Sequence, residues 1–161
     1  MGKETSDNGW GGVSVSGVKL ALFDVSNVSK PKQLDSYVIG KAGTDSEALR
    51  DHRAFLFDKD KNLLVLPVTE IVGSEILGKY GYRQKLWQGA YLFGVTPKDG
   101  FELKGRISHA DDAGSDYWNS PYAVRRSMYI EDVLYTLSSK KLLMNDIGTL
   151  EELNSVELPC E

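Results

Sequence analysis

At 161 residues, with 41% hydrophobic and 26% charged side chains, the chain can bury one sizeable core and lacks the composition of a disordered segment. Its formal charge of −4 is built from interspersed acidic and basic residues, with no Lys/Arg stripe of the kind that neutralises phosphates, so nucleic-acid binding is not indicated. A single cysteine, Cys160, rules out an internal disulfide framework and a thiolate metal cluster, and no apolar run reaches the roughly 18 residues of a membrane helix.

In chain order, residues 1–17 are rich in Gly, Ser and Asp and carry no apolar h-region, so they read as a flexible leader or a loop remnant, with no signal peptide. Residues 18–40 read as a hairpin, with strands around LFDVS (Leu22 to Ser26) and QLDSYVI. A polar connection, GKAGTDSEALRDH, follows from Gly40. Next come a second hairpin, RAFLFDKDKNLLVLPV from Arg53, and a third, built from LFGVT (Leu92 to Thr96) and ELKGRIS. Between those two lies TEIVGSEILGKYGYRQKLWQ, an insertion over 68–88 that is expected to protrude as a hairpin or a short helix. After a second long connection from His109, RRSMYIEDVLYTLSS forms a fourth hairpin and MNDIG with ELNSVEL a fifth, ending in a tail at 159–161.

These hairpins repeat. LFDVS, LFGVT and MNDIG begin at Leu22, Leu92 and Met144, and the strands that follow them shift by nearly the same intervals. Two alternating hairpins make a four-stranded unit of about 50 residues, the range of propeller blades and solenoid turns. β-Branched and aromatic enrichment excludes a helical solenoid. AFLFD and LLVLPV are apolar at nearly every position, as expected of a sheet covered on both faces. The fold class read from this pattern is all-β, a partial β-propeller of about two and a half four-stranded antiparallel blades: a trailing hairpin (18–40), a full blade with the insertion (53–109) and another full blade (125–158).

The blocks GVKLALFDVSNVSKPKQLDSYVIG, GTDSEALRDHRAFLFDKDKNLLVLPV, WQGAYLFGVT and RRSMYIEDVLYTLSSKKLLMND resemble, over residues 18–158, the C-terminal β-propeller family of secreted prokaryotic, mainly archaeal, proteins, distantly similar to WD40 propellers. The resemblance implies an extracytoplasmic or cell-surface setting, further blades beyond those in this chain, and no catalytic residues that could be carried over. It favours a fragment of a larger propeller over an arc that self-associates. Asn27-Val28-Ser29, an N-glycosylation pattern in a polar turn, agrees with that setting.

Candidate site residues cluster in the long connections. Asp51 and His52 close the first and His109 opens the second; each histidine can fix blade geometry by a hydrogen bond or serve as a general acid or base. Trp87 and Trp118, with Trp10, Tyr117 and Tyr122, lie in or beside loops and can stack on a sugar or a peptide, or cap the core. Asp111, Asp112 and Asp116, together with Asp45, Glu47 and Asp51, are the candidate ligands of a structural calcium ion, the single cofactor considered. The turn Asp58 to Asn62 starts like a calcium loop, but Leu63 and Thr69 stand where an EF-hand needs Gly and Glu. No nucleophile elbow, phosphate loop, zinc signature or dinucleotide fingerprint occurs. The expected function is a non-catalytic extracytoplasmic binding or scaffolding module for a protein, peptide or glycan. The alternative is a hydrolase or lyase that uses His52 or His109 with the rim carboxylates.

Overall fold

A computed structural model describes residues 1–7, 9–77, 81–110, 118 and 120–159 of the chain. Eleven strands, β1 (Gly2–Asp7), β2 (Val13–Asp24), β3 (Lys32–Ile39), β4 (Leu56–Asp58), β5 (Leu63–Leu77), β6 (Gly81–Thr96), β7 (Gly100–Ile107), β8 (Arg126–Ile130), β9 (Val133–Leu137), β10 (Lys141–Asp146) and β11 (Glu152–Glu157), make three antiparallel sheets. Their orders are β1-β2-β3, β4-β5-β6-β7 and β8-β9-β10-β11, each a meander of chain neighbours. The architecture is therefore all-β and blade-like.

Strand registers confirm the repeat. A β-bulge lies opposite the step from Leu22 to Phe23 of β2, from Leu92 to Phe93 of β6 and from Met144 to Asn145 of β10, with Leu34, Lys104 and Leu153 as the extra residues of β3, β7 and β11. These are the positions that the LFDVS, LFGVT and MNDIG alignment equates. Hence β2, β6 and β10 are the same strand of three successive blades, and their neighbours follow in register.

The middle sheet is covered on both faces, which accounts for its unbroken apolar runs. Leu64, Leu66 and Phe93 pack toward Val18, Leu20 and Ile39 of the first sheet. The alternate residues Leu63, Val65 and Leu92 pack toward Leu134, Leu143 and Val124 on the side of the third. Successive residues of one strand point to opposite faces, so a strand buried on both must be apolar at every position.

One feature differs from the expectation. Residues 2–7 and 13–17, read as a leader, are β1 and the start of β2, paired from Gly2↔Lys19 to Asp7↔Val13, so the first sheet has three strands. The alternation Val13-Ser14-Val15-Ser16 is a strand signal that the Gly/Ser/Asp composition obscures. The insertion 68–88 takes the hairpin form: it lengthens β5 and β6, which stay paired out to Leu77↔Gly81. Equating Leu22 with Leu92 makes the β1–β2 hairpin its counterpart in the first sheet. By contrast, the third sheet turns tightly, Ser138 N–H donating to Lys141 O (2.9 Å).

Candidate binding site

Because strand direction alternates, the β5–β6 turn and the β3→β4 and β7→β8 connections all emerge at one end of the sheets. This rim carries every long loop. Gly40 launches the first connection in a left-handed conformation (φ +64°), where a Cβ would run into the Thr44 side chain. The connection then pairs with the exposed edge of β5, beyond the reach of short β4: Asp45 and Thr69 exchange two backbone hydrogen bonds of 2.8 Å, and Ser46 Oγ donates to Pro67 O (2.6 Å). Two 3₁₀ turns follow, Glu47–Leu49 capped by Ser46 and His52–Ala54 capped by Asp51.

Between this connection, Pro67–Thr69 and the segment from Trp118 to Arg125 lies a cavity of about 410 Å³, lined among others by Asp45, Glu47, Asp51, Arg50, Trp118 and Arg125. That volume lies in the range of small-ligand sites. Trp118 is half exposed (45%), and its carbonyl accepts from Gln88 Nε2 (2.8 Å), which ties this part of the loop to β6.

Each carboxylate of the cavity is held by a cation. Asp45 pairs with Lys3 (2.9 Å) and Arg50 (2.6 Å). Burial by itself would raise its pKa, but the hydrogen bonds from Arg50 and Lys3 outweigh it and lower the carboxyl to about 2. Asp51 takes Arg53 (3.1 Å) and Arg126 (2.6 Å), and hydrogen bonding from Arg53 is the main cause of its lowered pKa. Glu47 takes the other side of Arg126 (2.9 Å), so one guanidinium of the third sheet gathers two acids of the connection between the first two.

The structure brings Asp45, Glu47, Asp51 and Trp118 to the cavity and places His52, His109 and Trp87 outside its lining. His52 is exposed on its 3₁₀ turn. His109 is buried (5% exposed), with Nε2 2.8 Å from Thr136 Oγ1 of the third sheet; burial, aided by Lys141, lowers its pKa to about 4. Its partner is a hydroxyl, not a turn carboxylate. Trp87 lies on the opposite face of the middle sheet, edge-on to Tyr91 (5.2 Å), with the Arg106 guanidinium 4.9 Å from its ring centre. Asp111, Asp112 and Asp116 lie outside the described residues, as do Tyr117 and Cys160. Among the described residues no group of three His, Cys, Asp or Glu side chains is placed to hold a metal ion. In the turn after β4, Asp58 accepts from Lys61 N–H (2.7 Å) and from the Tyr129 hydroxyl, which makes it a turn brace.

Arg50 and Arg125, which line the cavity, and Arg126, which pairs with Glu47 and Asp51 of its wall, are functional residues absent from the sequence-derived candidates. The available signals were the charge alternation from Asp45 to Arg53 and the Arg125-Arg126 pair at the start of a strand.

The family model described as "Beta propeller domain" matches residues 1–150. An uncharacterised protein of Archaeoglobus fulgidus is 28% identical over 141 residues, covering 88% of this chain and 17% of its own length. Another, from Methanocaldococcus jannaschii, is 24% identical over 140 residues, covering 87% of this chain and 17% of its own length. The chain thus spans about one sixth of the length of these relatives. No solved structure matches it.

Proposed function

Because the chain belongs to the β-propeller domain family, we propose that it is part of a non-catalytic binding or scaffolding module that works outside the cytoplasm and takes a peptide or glycan at the rim cavity. The observation that carries this reading is the charge-balanced cavity wall. Asp45, Glu47 and Asp51 are each engaged by Lys or Arg, which suits them to orient a polar ligand, and the lowered carboxyls of Asp45 and Asp51 are poor proton acceptors. Trp118 adds an exposed aromatic surface beside them, the combination that sugar rings and peptide side chains use for stacking and hydrogen bonding.

The histidines argue against chemistry at this site. His109 is enclosed with a hydroxyl partner, and His52 stands on the outside of its turn. Asn27 of the glycosylation pattern lies in an exposed turn, which supports the extracytoplasmic setting. Asp111, Asp112 and Asp116 are proposed as the ligands of a structural calcium ion. Further blades of the longer relatives are natural partners for the flanks of the arc.

The test is a panel of peptides and glycans screened for both binding and turnover. The reading expects saturable binding with the ligand recovered unchanged. A ligand cleaved by the chain, with the cleavage abolished by His52→Ala, would replace it with the hydrolase or lyase alternative.

A further inference from the structure

Among the described residues the rim cavity carries more positive than negative charge. Asp45, Glu47 and Asp51 share four cations: Lys3 and Arg50 on Asp45, Arg53 on Asp51, and Arg126 on both Asp51 and Glu47. Arg125 is a fifth. Its backbone is fixed, with its N–H donating to Leu137 O (2.8 Å) and its carbonyl accepting from Arg126 Nη1 (2.7 Å). The guanidinium of this exposed residue has no hydrogen bond or ion pair among the described residues. Arg50 lines the facing wall, bonded to Asp45 through Nη2 and with its side chain 63% exposed. The cavity thus has a cation on each side, in a chain whose net charge is −4, so the local field opposes that of the whole molecule.

We propose that the ligand of the rim cavity is a glycan bearing hexuronate carboxylates, and that Arg125 selects the acidic sugar over its neutral counterpart. This rests on the cavity being a binding site and names the class of ligand it takes. A carboxylate matches the planar fork of a guanidinium that no protein acid occupies. The acids of the wall serve the hydroxyls. A carboxylate offers about four acceptor sites. Asp51 fills its own with Arg53 and Arg126, whereas Asp45 accepts from Lys3 and Arg50 alone and Glu47 from Arg126 alone, which leaves both with sites for sugar hydroxyls. Half-exposed Trp118 offers a surface for the apolar face of a sugar ring. An acidic peptide brings the same carboxylate, but its backbone supplies one N–H donor per residue and no ring face, so Asp45, Glu47 and Trp118 together favour the sugar.

Calorimetric titration of the full chain with oligomers of galacturonate, glucuronate and mannuronate, each as free acid and as methyl ester, tests this. The ester keeps the ring and its hydroxyls and loses the charge. At least one free acid is expected to bind, with its ester weaker by about tenfold or more, the scale of one hydrogen bond to a charged group. Arg125→Gln is expected to abolish that difference, with far-UV circular dichroism and ester affinity unchanged, and Arg125→Lys to keep part of it. Trp118→Ala should weaken acid and ester alike. An ester that binds as tightly as its acid, or a preference for the acid that survives Arg125→Gln, overturns the inference; if Trp118→Ala still weakens both, the cavity remains a binding site with a neutral ligand. Tighter binding of an Asp/Glu-rich peptide, or no binding of any free acid, overturns it as well. Binding that Trp118→Ala leaves untouched removes the cavity itself as the site.

Discussion

His109 and Thr136 join the second and third sheets by a hydrogen bond of 2.8 Å at the positions that Ile39 and Leu66 occupy between the first and second. One interface is apolar at this point and the next is polar. Among the described residues His109 Nδ1 and Gln88 Oε1 are buried there with no partner, so the polar version carries a desolvation cost that the apolar one avoids.

That exchange makes stability depend on pH. The folded pKa of His109, about 4, lies below the ordinary 6.5, so between these values the unfolded chain binds a proton that the folded chain excludes. Stability is expected to fall as pH drops from about 6.5 to about 4, by roughly 3 kcal/mol at most, and then to level off for this group. The double variant His109→Ile/Thr136→Leu, which copies the first interface, should remove that slope without loss of stability near neutral pH. Urea melts at several pH values measure both.

Asp45 titrates in a lower window. Its carboxyl is depressed to about 2, so its contribution is present above the ordinary carboxylate pKa and is lost as pH falls from about 4 to about 2. Asp45→Asn should cost about 1 kcal/mol or less, since the partners are partly exposed. Amide exchange at Asp45 and Thr69 should quicken in the variant, because the carboxylate pins this connection to Lys3 of β1.

Equivalent positions should differ in energetic weight according to their cover. Phe93→Ala is expected to cost about 4 kcal/mol, since it empties the space between two sheets. Phe23→Ala should change stability by no more than about 0.5 kcal/mol. Chemical denaturation separates the two.

The protruding part of the β5–β6 hairpin should be removable. Replacing residues 74–84 with Asn-Gly leaves Gly73↔Lys85 as the closing pair of a two-residue hairpin, as tight as a turn between two paired strands can be. The melting temperature should move by no more than a few degrees, about what a change of 1 kcal/mol produces. Loss of cooperative unfolding would show instead that the arm is part of the core.

The blade hairpins were legible because each carries its own apolar run and a repeated segment, and the bulges lie where Leu22, Leu92 and Met144 align. Strand β1 was not, because Gly, Ser and Asp between Gly2 and Gly12 mask a period-two pattern whose partner strand is itself polar. The cavity was half legible. Asp45, Glu47, Asp51 and Trp118 stand out as loop residues, but Arg126 reaches Glu47 and Asp51 across 79 and 75 residues, a pairing set by sheet packing and not by spacing. Likewise a lone His109 reads equally as acid, base or brace until Thr136 is seen beside it.

Ligand binding at the rim cavity through Trp118 is tested by titrating the strongest binder from the peptide and glycan panel against two variants. Trp118→Ala is predicted to weaken affinity by about tenfold or more, the scale of one stacking aromatic, while Trp87→Ala, on the opposite face, leaves it unchanged in the folded protein. Loss of binding in Trp87→Ala with Trp118→Ala unaffected would contradict binding at the rim cavity.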